Sequence, residues 1–465
     1  MGPLLSSATS WNMLRAIVLV GSGEVIARAM SLLAFMYLAR VLEAPTFGIL
    51  GIASSCIAIL VPITELGYGI PATRSMAEDP TRFRELWNAA LFPKLAAVFL
   101  AFAVVAIMAS WVDDTRLKTL LLGNALFIPI GAFSLVWAAY ALDAHGWIAG
   151  ERILQAGAYV VGVLLVIRTD ADVIYQPLVL VASAAAGQIL LGLLVYRRLQ
   201  RAHAGGSAGN VPTVSGGFRL ILGRMPITFF IHGAVAASGL LLPLKDVAVV
   251  VIAARVFLLG MSFTHVPGSV AFSGIVREMS ERGPGGLAAT HVAMISGLSI
   301  TGCVAVALLI PAELIRVLAG EGYAHGSTAV ALACIALALQ IAHLTMFRVA
   351  AASGNEERIG RSMLIWSLPA YLILPVTAHL WGVTGVGVSI CAAEMIAAAA
   401  LVRYPGIALF LKECSVWTVP GGVVLAAILA LQDTLNLSAS ASFGAWTVLF
   451  LVVAAVMNRF RSATA

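Results

Sequence analysis

The chain has 465 residues, of which 61% are hydrophobic and 11% charged, with a mean hydropathy of +0.99. That composition lies outside the range of soluble globular domains and excludes a surface that is mostly in contact with water. The net charge of +6 follows from where the basic residues fall relative to a bilayer, and it calls for no nucleic-acid partner.

A helix needs about 20 apolar residues to cross a bilayer, and with about a dozen more for each connection the chain has room for roughly fourteen crossings. Apolar runs bounded by charge, Gly or Pro place the first six over 13–38, 45–68, 87–110, 119–141, 151–168 and 176–196. The first run continues past Arg28 to Leu38, too long for a cleaved signal, so it is expected to be a retained helix. Between Arg197 and Gly217 the stretch AHAGGSAGN reads as a flexible linker. Further spans are expected over 221–242, 247–275, 287–311, 325–349, 360–380, 383–403, 415–432 and 442–458. Pro226, Pro267, Pro311 and Pro369 are expected to kink their helices. Cys56, Cys303, Cys334, Cys391 and Cys414 are too scattered for a zinc site or disulfide framework and read as small buried hydrophobes.

Lys and Arg resist translocation, so their placement sets orientation. With the N-terminus in the cytoplasm, most fall on cytoplasmic connections or helix ends, among them Arg74, Lys94, Arg152, Arg197 and Arg361. Only Arg40, Arg116, Lys118, Arg168, Lys245 and Arg316 fall outside. This pattern predicts an even number of crossings with both termini cytoplasmic. A weak internal echo relates VLEAPTFGILGIA from Val41 to LLPLKDVAVVVIA from Leu241 at an offset of 200 residues. Six spans separate the copies, which gives them the same orientation, as in a parallel repeat about an axis normal to the membrane. The expected fold is therefore all-α and integral to the membrane. It has an N-lobe of six helices over 1–205, a C-lobe of six over 206–405 related to it by a pseudo-twofold, and two additional helices over 406–465.

Several segments resemble a known family. ARVLEAPTFGILGIA followed by ELGYGIPATRSMAE, near the N-terminus, is similar to the signature of polysaccharide-biosynthesis flippases, the Wzx-type O-antigen and exopolysaccharide exporters. Their superfamily also holds lipid II flippases and multidrug and toxic-compound extruders. AVVVIAAR from Ala248 to Arg255 resembles the family's Gly-x-Tyr-x-x-Ala-x-Arg segment, with Ala253 and Arg255 matching and Ala248 and Val250 departing from it. PAELIRVLAGEGYAHGSTAVALAC, ASGNEERIG and WGVTGVGVS resemble further stretches, so the likeness extends over most of 11–405. The seventh span carries no acid, where many relatives have Asp. The resemblance implies a bacterial inner-membrane flippase that moves a polyprenyl-diphosphate-linked oligosaccharide outward for O-antigen (lipopolysaccharide) or exopolysaccharide synthesis. It also implies a polysaccharide polymerase and a chain-length regulator as neighbours.

Ionisable residues in mid-span are expensive and normally face a partner or an aqueous cavity. Glu24 and Arg28 lie at i, i+4 on the face that carries Gly21 and Ser31. They form either a self-contained ion pair or part of a substrate site. Arg255 has no acid within one turn and is assigned to a central cavity. Together Arg28 and Arg255 would present a cationic floor to a diphosphate, for which a planar, permanently charged guanidinium is suited. Arg74 matches the family's Arg at its position and reads either as a further contact with substrate or as a cytoplasmic anchor. Glu24, Glu394 and His232 are the candidates for coupling to H+ or Na+. No other cofactor is expected: no nucleotide-binding glycine loop, metal-ligand cluster or nucleophile constellation stands out. A multidrug or small-molecule ion antiporter on the same fold, and a membrane saccharide polymerase or ligase, are the competing readings.

Overall fold

The computed structural model describes residues 7–200, 229–261, 287–351, 356–402, 407–432 and 437–464. Among these, every regular element is helical. The linker around AHAGGSAGN, Pro226, Pro267 and Arg403 lie outside the described residues.

The chain forms two compact units, Met1–Gly239 and Leu240–Ala465. The first contains α1 (Ser7–Val41), α2 (Ala44–Glu65), α3 (Gly69–Glu78), α4 (Phe83–Ser110), α5 (Thr115–Ala125), α6 (Phe127–Ala132), α7 (Val136–Ala141), α8 (His145–Val166), α9 (Gln176–Leu199) and α10 (Ala234–Leu241), which reaches two residues past the division. The second contains α11 (244–261), α12 (Leu287–Leu309), α13 (Pro311–Ala319), α14 (Ser327–Ala351), α15 (Glu356–Leu401), α16 (Ile407–Gln432) and α17 (Ala439–Thr464). Among the described residues, eight segments are long and apolar enough to cross a bilayer, and α12 with α13 forms a further pair bent by 85°. Large apolar side chains stand exposed along these segments, Phe92 at 79% and Leu372 at 78%. Such exposure is stable only against hydrocarbon.

Lipid supplies no hydrophobic force between helices, so close packing and internal polar contacts must hold them together. In the first unit α1 runs along α8, and α8 along α9. The tightest α1–α8 approach is at Gly23, where an added Cβ would lie 2.5 Å from the Cβ of Ala149. At one end Tyr68, Met76, Leu86, Trp137, Ile148 and Leu191 form a shared core. The Tyr68 hydroxyl donates to the Leu86 carbonyl at 2.9 Å within it. At another point Asp170 gathers three connections: its Oδ2 accepts from Arg116 at 2.7 Å and from Thr46 Oγ1 at 3.0 Å, while Oδ1 accepts from the Glu43 amide at 2.9 Å. Asp114 N-caps α5 by accepting from the Leu117 amide at 2.8 Å.

The expected span 119–141 lies within one of the bilayer-length segments, Thr115–Ala141, whose helix is interrupted into α5, α6 and α7. Its breaks are stabilised from outside: the Lys94 ammonium, 4% exposed, donates to the Ala132 carbonyl at the end of α6 at 2.6 Å. Lys94, which the charge pattern counts among the cytoplasmic positives, is thus buried within α4; its long stem hides its reach in sequence. The expected span 45–68 stops at Glu65, because Leu66 (φ +56°) and Gly67 (φ +61°) turn the chain into the separate short helix α3. Pro311 begins α13 rather than kinking a helix, consistent with the preference of Pro for the first helical position.

In the second unit α14 packs along α15 and α12, and α12 along α16. Trp446 of α17 donates from Nε1 to the Gly421 carbonyl of α16 at 3.2 Å. The joint WGVTGVGVS interrupts α15: Gly382 has φ +57° and ψ −133°, and a Cβ on Gly385 would meet the Thr377 carbonyl oxygen. In a straight helix residues eight apart are separated by about 12 Å. The chain therefore folds back at Gly382, and 356–381 and 383–401 are two helices, as the sequence predicts. The echo at an offset of 200 residues has a local counterpart. Both 42–43 and 242–243 break a helix, and each break is followed by a helix whose residues 47–50 or 247–250 are buried.

Candidate functional site

Close packing at Gly23 brings the polar stripe of α1 beside α8. Glu24 Oε1 and Arg28 Nη2 form an ion pair at 2.7 Å with side chains 26% and 39% exposed. Of the two readings left open by the sequence, the pairing is realised, yet the guanidinium keeps an exposed edge, and its buried Nε has no hydrogen-bond partner among the described residues. Next to this pair is a residue that sequence reasoning passed over. Helix α8 starts at His145, earlier than expected, so Glu151 lies in its second turn and is 1% exposed. Glu151 Oε1 accepts from Gln188 Nε2 at 3.0 Å, and Gln188 Oε1 accepts from the Leu135 amide at 3.2 Å, beside the break before α7. Arg152 Nε lies 3.5 Å from Glu151 Oε2, and Glu24 interacts electrostatically with both Glu151 and Tyr140. The first unit thus carries a network of two carboxylates, two guanidiniums, an amide and a phenol across α1, α7, α8 and α9. The sequence signal for it was Glu151 at the edge of an apolar run, which is easily read as a solvated helix end.

Arg74 lies on the exposed side of α3, whose opposite side buries Ala72 and Met76. His232 is half-buried in the π-helical turn Phe229–Gly233 that leads into α10. Arg255 is exposed on α11, in the second unit.

Glu394 is fully buried in α15, and the structure gives it a partner the sequence analysis did not name. His343 Nδ1 of α14 is 2.7 Å from Glu394 Oε2, with both side chains 0% exposed. Gln340, one turn earlier on α14, is 1% exposed. His343 is legible afterwards as a histidine inside an apolar run with Gln at i−3. Among the described residues no three His, Cys, Asp or Glu side chains converge as a metal site would require.

A bundle of long lipid-exposed helices with glycine-tight crossings and charges gathered inside each unit defines a polytopic membrane protein. The profile of the family described as "Polysaccharide biosynthesis protein" matches residues 13–272, more than half of the sequence, and the chain belongs to that family. No protein of curated function matches the sequence. Among solved structures, the fold is similar to the lipid II flippase MurJ in an inward closed conformation (TM-score 0.58, 15% identity, covering 95% of this chain and 99% of that one). It is also similar to a MATE transporter in complex with MaL6 (0.60, 14%, 86% and 96%). A transporter of the MOP superfamily from Pyrococcus furiosus, described as having a binding pocket of reverse polarity, is a third (0.57, 15%, 86% and 95%). The chain therefore has the two-lobe fold of the MOP superfamily.

Proposed function

We propose that this protein is a flippase that carries a polyprenyl-diphosphate-linked oligosaccharide from the cytoplasmic to the periplasmic leaflet of a bacterial inner membrane, for O-antigen or exopolysaccharide synthesis. Family membership and the superfamily fold support transport, and one observation carries the nature of the cargo. Arg28, within the long helix α1, keeps 39% of its side chain exposed while paired with Glu24. A guanidinium half-neutralised at one edge still offers N–H donors to phosphate oxygens at the other. Arg28 binds the diphosphate, and Arg74 and Arg255 are the other cationic candidates for contact with the cargo. The lipid tail stays in the bilayer while the lobes alternate access to the head group. Both termini lie in the cytoplasm. A polymerase and a chain-length regulator consume the product on the outer face.

The test is relocation of a radiolabelled lipid-linked oligosaccharide in liposomes containing the purified chain. The wild type is expected to move it without changing its length, and the double substitution Arg28→Gln with Arg255→Gln to stop movement while the protein remains folded in the membrane. Retained movement in the double variant overturns the diphosphate assignment. A change of saccharide length indicates a polymerase or ligase, and efflux of a cationic dye in place of saccharide movement indicates a multidrug antiporter.

A further inference from the structure

Buried polar groups are almost always hydrogen-bonded, and those that are not call for an explanation. In the second unit five such atoms occur on residues that are at most 1% exposed; one is Ser442 Oγ on α17, and the other four, both amide atoms of Gln340, Nε2 of His343 and Oε1 of Glu394, gather on α14 and α15 with no hydrogen-bond partner among the described residues. His343 and Glu394 are joined through their other two atoms, Nδ1 and Oε2, at 2.7 Å. By contrast the Asp170 carboxylate in the first unit, 20% exposed, has both of its oxygens engaged by protein donors.

We propose that His343 and Glu394, with Gln340 beside them, form a proton-binding site whose loading and release drive the transport cycle. The binding stands by itself; its role in driving transport rests on the flippase reading above. In the unloaded form a neutral imidazole donates Nδ1–H to an ionised carboxylate, so the pair carries one negative charge. A proton taken from water forms a bond to His343 Nε2, making the pair neutral overall, and returns to water on release. Gln340, one turn away on the same helix, carries a buried amide oxygen that is itself without a hydrogen-bond partner among the described residues. With 0% exposure the pair exchanges protons only when the surrounding helices open, so loading is tied to conformation. The donor set favours a proton over Na+. A hard cation seeks several oxygens, and here Glu394 and Gln340 offer one unengaged oxygen each, beside an imidazole nitrogen.

Among the described residues the other groups around the pair are few, and Glu413 of α16 is half-buried. On α15 Cys391 interacts electrostatically with Glu394, and its thiol points to the Leu332 carbonyl at 3.4 Å. On α14 Cys334 lies more than two turns from His343 and interacts with Cys303 of α12. α12 also presents Ser296, hydrogen-bonded to Thr345 of α14 at 3.0 Å. From α16 Cys414 packs against Gly297, and Lys412 of the same helix is exposed.

Two readouts test the site. With the full chain in lipid nanodiscs and its histidines labelled with 15N, the His343 ring is expected to change from neutral imidazole to imidazolium as pH is lowered from about 9 to about 5. The change is expected to be lost in Glu394→Gln. The signal is assigned by its disappearance in His343→Gln or, should that variant not fold, as the one surviving when each other histidine is replaced in turn. A His343 ring with the same charge throughout overturns the proposal. In liposomes, an imposed proton gradient is expected to speed wild-type movement of the lipid-linked saccharide by about tenfold, within the usual range of coupling between sites. The ratio of rates with and without the gradient is expected to fall to about one in Glu394→Gln and His343→Gln. Wild-type movement that ignores a proton gradient, or follows a sodium gradient instead, overturns the coupling. Absence of any saccharide movement by the wild type refutes the flippase reading while leaving the histidine titration to judge the site.

Discussion

Gly23 is the position where one added methyl group has the clearest consequence. A Cβ there would lie 2.5 Å from the Ala149 Cβ and 2.9 Å from its Cα, whereas carbon atoms rest at about 3.5–4.0 Å. Helices α1 and α8 must therefore move apart by about 1 Å, or one must slide, in Gly23→Ala. Overpacking of this kind costs about 1–3 kcal/mol. The displacement also draws Glu24 and Arg28 away from Glu151 and Gln188, so both the thermal midpoint in detergent and the rate of saccharide movement are expected to fall. Ala149→Gly removes one of the two clashing atoms, so the double variant is expected to recover part of both losses. A Gly23→Ala protein with unaltered midpoint, or a double variant no better than the single, would refute the tight crossing.

Lys94→Met leaves the Ala132 carbonyl without its 2.6 Å donor at a buried helix end. It is expected to cost about 1–3 kcal/mol, seen as a lower midpoint in a fluorescence-monitored melt. Asp170→Ala removes the acceptor shared by Arg116, Thr46 and the Glu43 amide and is expected to raise amide exchange at 43–47 and 115–118 in a hydrogen-exchange experiment. The Asp79 carboxyl, on the exposed turn between α3 and α4, is held below its usual range first by the Thr81 hydroxyl at 2.6 Å and then by the Thr81 amide at 2.9 Å. A depressed carboxyl stabilises the turn above its unfolded value of 3.8 and loses that contribution as pH falls through the lower, folded value. Protection of the Thr81 amide is therefore expected to persist near pH 5, decline below about pH 4, and be pH-independent in Asp79→Asn.

The positions of the spans were legible because hydropathy over about 20 residues reports directly on the solvent, and the helices follow those runs closely. The joint at Gly382 and the echo at an offset of 200 residues were also legible, since each leaves a local mark: a glycine-rich reversal, and a helix break before a buried run. What sequence could not show were features fixed by contacts between distant segments. The breaks in 115–141 depend on Lys94 from another helix, and Glu151 is buried because α8 begins six residues before its apolar run. Glu24 and Arg28 declared their pairing at i, i+4, whereas Glu394 finds His343 51 residues away, beyond the reach of any helical periodicity.

The two units therefore treat charge differently. Around Arg28 the ionisable groups are numerous, mutually compensating and partly exposed, with the guanidinium at 39% and Arg152 at 47%. Such a network receives an anionic head group at its exposed guanidinium, because the Glu24–Arg28 contact disturbed there joins two partly exposed groups. Around Glu394 the described groups are few, and it is joined to His343, both at 0% exposure, by one short contact, so adding or removing a single charge there changes the energy of its surroundings far more. A wide, screened network suits cargo whose sugars vary, and a sealed pair suits a coupling ion that must be counted one at a time. On that reasoning Arg28→Lys, which keeps the charge but loses the planar fork, is expected to weaken saccharide affinity while preserving the response to a proton gradient. Glu394→Gln is expected to do the reverse. Measuring affinity and gradient response in both variants decides the matter: equal loss of both properties in both variants would mean that binding and coupling share one site.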